Sequence, residues 1–225
     1  DGMGGSTEHA DVAWAGVDRQ ANDAAGLRPL WVRQAGDGQG TALQQVTSFT
    51  YGAVRDVAVD PDDWTRVYVL GVDGRLWFSD DGADAPADPW TWTELTGNLD
   101  LLNGASARQS LAVVRDGADV AVLVGADGGV FRSVNGGDFV EYGQGLPNTL
   151  VTDIDYAASV DTLFVATMGR GAFRIADASD TLFEASRVTV TGTSGADAIR
   201  IARDEATPWL LDVFVHDAAD PEPAT

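Results

Sequence analysis

A repeat of 42 to 54 residues organises the first 180 residues of this chain and constrains its fold more than any single motif. The offset between equivalent residues is 54 from Ser79 to Ser133 and 42 from Phe131 to Phe173. Three units are clear, and their apolar runs occupy residues 54–61, 67–71, 74–82 and 90–95, then 109–114, 120–125, 128–137 and 139–142, then 151–156, 163–167 and 169–175. A fainter unit precedes them, in which residues 11–17 match 56–59 and residues 30–33 match 76–79. A period of this length is typical of units that bury apolar surface only against their neighbours.

Each unit consists of short runs rich in Val, Leu, Phe and Trp, separated by Asp-Gly, Gly-Gly or Asn-Gly. This pattern predicts antiparallel strands joined by tight hairpins. The first two runs of a unit are almost continuously apolar, as expected of strands covered on both faces by neighbouring sheets. We therefore predict an all-β fold, a partial β-propeller of about four antiparallel blades over residues 1–180, since radial packing leaves no long sheet edge exposed.

The charge balance disfavours nucleic acid as a partner. The 35 acidic residues outnumber the 14 basic ones, all of them Arg, and the formal net charge is −21. A nucleic acid would be repelled by this surface. Such acidity fits a high-salt environment, contact with divalent cations, or composition drift in a GC-rich genome, and the sequence leaves these alternatives open.

The Cys content and the length of the apolar runs exclude two further classes of protein. The absence of Cys excludes a disulfide scaffold. No apolar run approaches the roughly 18 residues of a membrane helix, and the N-terminal residues lack the basic region of a signal peptide. We expect no membrane insertion, and we expect the chain to be a piece of a longer protein.

Two turns resemble the Asp-box, the Ser-x-Asp-x-Gly-x-x-Trp turn of BNR-repeat propellers. They are residues 133–139, and residues 79–82 followed by Trp90 and Trp92. Residues 145–154 and 163–174 are similar to the junctions between blades in sialidase-like, xyloglucanase-like and sortilin-like propellers. Both turns depart from the pattern, because Asn135 replaces the Asp of one and an insertion precedes the Trp of the other.

The resemblance implies that these turns are mainly structural. A short Asx side chain can bond the amides of its own turn, Gly supplies positive φ, and the aromatic residue pins the hairpin to the sheet. A direct role in ligand or calcium binding is the alternative. The residues concerned are Ser79, Asp81, Ser133, Asn135 and Gly137.

The sequence contains candidate catalytic and sugar-stacking residues. Glycoside hydrolysis needs two carboxylates at a set separation, and a sialidase also needs an Arg cluster. The candidates lie at equivalent strand starts, namely Asp11, Asp56 and Asp153 with Arg19, Arg55 and Arg170. Recurrence of Asp in each unit fits a structural hydrogen bond between blades better. Aromatic rings that could stack on a sugar, or pack in a core instead, are Trp31, Trp77, Trp90 and Trp92.

A different pattern begins after residue 180. Residues 192–199 resemble the Gly-Gly-x-Gly-x-Asp-x-U repeat of RTX-type β-rolls, which implies a calcium ligand at Asp197. A plain β-hairpin is the alternative, because one copy cannot complete a site. Neither His9 nor His216 has metal-ligand spacing with another His, and we expect both at the surface. Residues 181–225 are thus predicted to be a small β-rich segment that begins an RTX-like module.

These observations predict a non-catalytic binding or spacer propeller of a large secreted or cell-surface bacterial protein. Its expected partners are a glycan or extracellular protein ligand and the remaining blades of the parent chain, with calcium as the one implied cofactor. The alternative is a fragment of a sialidase-like or xyloglucanase-like glycoside hydrolase whose catalytic residues lie partly outside this chain. The fold does not decide between them, since propellers host many functions.

Overall fold

The protein is described by a computed structural model over residues 12–17, 29–34, 36–81, 90–143, 145–183, 197–203 and 211–217. The chain divides into two compact units, Asp1–Ser186 and Arg187–Thr225. Across these residues the structure is almost entirely β, and none of the helices found there is long and apolar enough to cross a membrane.

Within the described residues, the first unit contains four antiparallel sheets whose strands follow chain order. They are β1 (Ala13–Gly16), β2 (Leu30–Arg33) and β3 (Gln44–Gln45); β4 (Val54–Val59), β5 (Val67–Gly71), β6 (Leu76–Ser79) and β7 (Thr93–Glu94); β8 (Ser110–Asp116), β9 (Asp119–Ala126), β10 (Gly129–Val134) and β11 (Val140–Tyr142); and β12 (Val151–Ala157), β13 (Thr162–Thr167) and β14 (Gly171–Ala176). Two single-turn 3-10 helices, Leu99–Leu101 and Ala158–Val160, and one short helix, α1 (Ala178–Leu182), connect or follow them. The second unit contains one hairpin, β15 (Asp197–Arg203) with β16 (Leu211–Asp217).

The first strands of the four sheets lie side by side. Strand β1 contacts β4, β4 contacts β8, and β8 contacts β12. Successive sheets therefore meet along their first strands and pack face to face, which is the arrangement of propeller blades. The predicted all-β fold, with about four antiparallel blades and a small C-terminal β segment, is confirmed. We number these blades one to four.

Three apolar cores fill the spaces between successive blades. In β5, Val67 and Val69 point into the core shared with blade one, whereas Tyr68 and Leu70 point into the core shared with blade three. Strand β9 alternates in the same way between the second and third cores. Because successive side chains point to opposite faces, a strand covered on both sides must be apolar at every position.

A buried ion pair joins blades two and three. The carboxylate of Asp60 is fully buried, and Arg115 donates from Nε to its Oδ1 at 2.8 Å and from Nη2 to its Oδ2. This hydrogen-bonded carboxylate raises the pKa of Arg115 above its ordinary value. The pair ties the loop after β4 to the end of β8, and loss of one partner would leave a buried charge uncompensated.

Helix α1 packs against the third core. Ala178, Leu182 and Phe183 are buried there, and the Asp161 carboxylate accepts hydrogen bonds from the Ser179 amide at 2.9 Å and from the Tyr156 hydroxyl at 2.9 Å. The pKa of Tyr156 rises to about 12, first because the phenol is desolvated and second because it donates to Asp161. The blade packing thus continues through Phe183.

One repeat assignment from the sequence is wrong. Residues 30–33 match the third strand of blade two in sequence, but β2 pairs directly with β1, with Trp31 opposite Ala15, and so takes the second position in its sheet. Second and third strands both carry alternating large apolar residues, and a short Leu-Trp pair cannot distinguish them. Only the pairing identifies the strand.

Candidate functional site

In the Asp-box-like turn of blade three, Ser133 and Asn135 make hydrogen bonds within the blade, whereas Phe139 exchanges two with the side chain of Asn98. The Ser133 hydroxyl donates to the Gly137 carbonyl oxygen at 2.5 Å. Asn135 has a φ of 53°, a left-handed conformation that Asn adopts more readily than most residues. Its Oδ1 accepts from the Val120 amide at 2.9 Å, and its Nδ2 donates to Asp119 Oδ1 at 2.7 Å.

This geometry explains why an Asn stands where the Asp-box has an Asp. Position 135 needs an acceptor toward the amide of Val120 and a donor toward the carboxylate of Asp119. An amide side chain supplies both, whereas a carboxylate supplies acceptors only. The turn therefore connects the β8–β9 hairpin to the β10–β11 hairpin.

The corresponding turn of blade two has Ser79 and Asp81 in place of Ser133 and Asn135. Ser79 is buried, and its hydroxyl oxygen accepts from the Asp81 amide at 3.5 Å. The Asp81 carboxylate accepts from the Thr91 amide across the loop. The inserted residues 82–89 lie outside the described residues. Like those of Ser133 and Asn135, these contacts stay within one blade.

The candidate stacking residues Trp77, Trp90 and Trp92 are buried, with 6%, 3% and 9% of their surfaces exposed. All three belong to the core between blades one and two. Trp77 stacks on Tyr51 with ring centroids 3.7 Å apart, and Trp90 and Trp92 stack on each other at 6.2 Å. The rings take the packing role that the sequence analysis weighed against sugar stacking, because neighbouring rings already occupy their faces. Trp31 is half-buried in β2.

Asp56 makes the contact between blades that its repetition predicted. One carboxylate oxygen accepts from the amide of Val57 at 2.8 Å, and the other accepts from the amide of Leu111 in blade three at 2.8 Å. Desolvation raises the pKa of Asp56, these two amides lower it, and the charge of Asp153 raises it further. Structural use of Asp56 is thus confirmed, with both carboxylate oxygens engaged.

The other residues of the proposed carboxylate and Arg sets are dispersed. Asp153 is exposed on β12, and Arg170 is exposed in the turn before β14. Arg55 is half-buried on β4. Asp11 and Arg19 lie outside the described residues. The charge of Asp153 contributes to the raised pKa of Asp56, so these two carboxylates interact.

A groove of about 520 Å³ lies between blades two and three. Tyr68 and Phe78 of blade two and Phe139 of blade three line it, and Phe78 is half-buried whereas Tyr68 and Phe139 are buried. Polar groups of both blades surround these rings, and they are Arg66, Glu94, Asn135 and Asp138. We call this the inter-blade groove. Its volume is in the range of small-molecule sites, and it combines apolar rings with a few polar groups as such sites do.

The sequence motifs identified only one rim of the inter-blade groove, the turn that contains Asn135. Arg66, Phe78 and Glu94 carried no motif, because they are ordinary strand and loop residues of blade two that face a hairpin of blade three. The signal available in the sequence was a recurring aromatic residue in the third strand of a unit. That signal locates a strand and does not show which rings border a cavity.

A second cavity, of about 410 Å³, surrounds Arg108. This Arg is 8% exposed and donates to the carbonyl oxygens of Ala105 and Gly74 at 2.7 and 2.6 Å and to the Asp100 carboxylate at 2.7 Å. Three internal acceptors occupy the guanidinium. The cluster therefore fixes the connection between blades two and three.

The predicted metal ligand Asp197 is the first residue of β15 and lies opposite Asp217 in the hairpin register. Its neighbours 192–196 and residue His9 lie outside the described residues. His216 lies in β16 opposite Ala198. Among the residues whose side chains the structure describes, no three Asp, Glu or His side chains come together as a metal site would require.

Solved structures similar to this chain are β-propellers. The β-propeller domain of Swd1 (Cps50) from Myceliophteria thermophila aligns with a TM-score of 0.52 and 9% identity, over 78% of this chain and 51% of that one. A GH74 enzyme from Niastella koreensis aligns with a TM-score of 0.53 and 18% identity, over 79% of this chain and 28% of that one. The GH74 xyloglucanase of Xanthomonas campestris aligns with a TM-score of 0.51 and 16% identity, over 93% of this chain and 34% of that one. No protein-family model and no curated protein matches the chain.

This chain spans from about half to less than a third of the propeller chains it matches. At identities of 9 to 18% the likeness concerns the fold alone. The Asp-box and RTX resemblances seen in the sequence stay predictions. The comparisons and the blade packing together identify the first unit as β-propeller blades.

Proposed function

We propose that this chain is part of a non-catalytic binding β-propeller and that its inter-blade groove takes a carbohydrate. The observation that carries the proposal is the groove itself, where the half-buried ring of Phe78 lies beside the polar side chains of Arg66 and Glu94. Apolar sugar faces pack on aromatic rings, while hydroxyl groups need donors and acceptors beside them. The groove offers both within one cavity.

The alternatives for this role are a protein ligand and a spacer without a ligand. Carbohydrate is favoured by the chemistry of the groove and by the net charge of −21, which disfavours polyanions and leaves neutral or weakly charged glycans. The similarity in fold to a xyloglucanase supports the same ligand class. A secreted or cell-surface location, and calcium use around Asp197, belong to the same proposal and are supported by the acidic, Cys-free composition and the RTX-like turn.

A fragment of a glycoside hydrolase is the second candidate. It is favoured by the raised pKa of Asp56, which is caused mainly by burial of the carboxyl group and to a smaller extent by the charge of Asp153. The amides of Val57 and Leu111 weigh against it, because they occupy both oxygens of Asp56. A residue that acts on substrate would need one of those oxygens.

Calorimetric titration of the whole chain with xyloglucan oligosaccharides and cellotetraose tests the proposal. Phe78→Leu removes one ring from the groove and keeps apolar bulk, and we expect it to weaken binding about tenfold, the loss of roughly 1.4 kcal/mol of ring contact. Phe164→Leu is the matched control, since Phe164 is an exposed ring on blade four that does not line the groove.

Two results would contradict the binding role in the groove. One is the absence of any oligosaccharide binding, and the other is equal loss of affinity in Phe78→Leu and Phe164→Leu. Release of reducing ends from xyloglucan, abolished by Asp56→Asn in a folded variant, would replace the binding role with the hydrolase.

A further inference from the structure

Arg66 differs from four other described Arg residues that are not exposed. Arg108 and Arg115 donate to carboxylates, and Arg33 and Arg132 donate to main-chain carbonyls. Arg66 is half-buried, and its Nε is shielded from water and has no hydrogen-bond acceptor among the described residues. In a chain with 35 acidic residues, a partly buried guanidinium whose Nε lacks an acceptor needs an explanation.

The guanidinium of Arg66 lies over one aromatic ring of the inter-blade groove. Its Cζ lies 5.5 Å from the centroid of the Phe78 ring, within the range of a cation–π contact. The Phe78 ring in turn contacts Tyr68, with the centroids 4.7 Å apart. All three side chains line the groove. A cation is thus held beside an aromatic surface on which a sugar ring could pack.

The geometry of the Arg66 guanidinium indicates which chemical group of a ligand would bind it best. A planar guanidinium presents parallel N–H donors that match the two oxygens of a carboxylate, and this pairing is stronger than a hydrogen bond to a neutral hydroxyl. Glu94 and Asp138 line the same groove and would repel a ligand with many charges. The fitting ligand therefore carries one carboxylate among neutral groups.

We infer that the inter-blade groove selects a saccharide bearing a single uronic acid, whose carboxylate binds Arg66 while a sugar ring packs on Phe78. This inference rests on the proposed carbohydrate-binding function and narrows its ligand class. Arg66 is then the residue that sets the preference for an acidic over a neutral sugar.

The test compares two probes on the whole chain by calorimetry. One is cellotriose, and the other is cellotriose with the terminal primary alcohol oxidised to a carboxylate. We expect the oxidised probe to bind about tenfold more tightly, from one charge-assisted hydrogen-bonding pair, with a preference that weakens as salt is added. Arg66→Gln should remove the preference and Arg66→Lys should keep part of it. Arg174→Gln, at an exposed Arg of blade four, should leave it unchanged.

Each outcome decides one of the two proposals. Equal binding of both probes by the unaltered chain overturns the uronic acid inference and leaves the carbohydrate-binding function standing. The same inference also fails if the preference survives in Arg66→Gln. Binding of neither probe, nor of the neutral oligosaccharides named above, overturns the carbohydrate function and this inference with it.

Discussion

The carboxylate of Asp56 in blade two accepts a hydrogen bond of 2.8 Å from the main-chain amide of Leu111 in blade three. Its other oxygen accepts from the amide of Val57 in its own blade. One side chain therefore joins the innermost strands of two blades, at a level where both strands begin. A main-chain amide at that position would otherwise lack its hydrogen bond.

Replacement of Asp56 by Ala should destabilise the protein. Two amides lose their acceptor, and we expect a loss of about 2 kcal/mol and a fall of roughly 4–8 °C in the melting temperature. Asp153→Ala provides the control, because Asp153 occupies the corresponding strand position of blade four and is exposed. Equal losses in the two variants would show that the contact with Leu111 contributes nothing.

Replacement of Asn135 by the Asp of the Asp-box pattern should destabilise the protein. In Asn135→Asp, a carboxylate replaces the amide that donates to Asp119 at 2.7 Å, so two like charges face each other. We expect a cost of about 1 kcal/mol, measured by urea unfolding. Asp119→Asn in the same chain should restore most of it. If the double variant is no more stable than Asn135→Asp, the contact does not explain the residue choice.

Alkaline pH should reveal the Tyr156–Asp161 contact. The native pKa of Tyr156 is about 12 and the ordinary value is 10.0, so folding favours the protonated phenol. The stabilising contribution of Tyr156 is complete below pH 10 and is lost as the pH rises toward 12. We expect the tyrosinate absorbance of Tyr156→Phe to show one phenol fewer that ionises above pH 10 than the absorbance of the unaltered chain. If the two chains gave identical titration curves above pH 10, the raised pKa would not belong to Tyr156.

Calcium should stabilise the chain if the RTX-like turn binds it. A ligand that binds only the native state raises the melting temperature by mass action. We expect a rise with calcium chloride after chelation, absent with a monovalent salt of equal ionic strength and lost in Asp197→Ala. Asp212→Ala in the same hairpin is the control. Equal stabilisation by both salts would indicate general screening of the −21 charge and would remove the calcium proposal.

Particular residues show where sequence interpretation reached its limit. The apolar runs around Val67 and Val122 predicted buried strands, because a strand covered on both faces must be apolar throughout. The repeated Asp at Asp56 predicted a contact between blades, although its acceptor role toward Leu111 required the register of β4 against β8. The inter-blade groove could not be predicted, since Arg66 and Asn135 come together only through packing.

The β class, the number of blade-like repeats and the acidic surface follow from the sequence, because alternation, turn residues and composition are local properties of the chain. Which side chains are buried and which are in contact depends on the folded arrangement. It placed Trp77, Trp90 and Trp92 in a core and paired both oxygens of Asp56 with main-chain amides. It also placed Arg66 beside Phe78, with no acceptor for its Nε among the described residues. Burial and pairing depend on residues of neighbouring blades, and the distance between blades is set by packing that no single repeat contains.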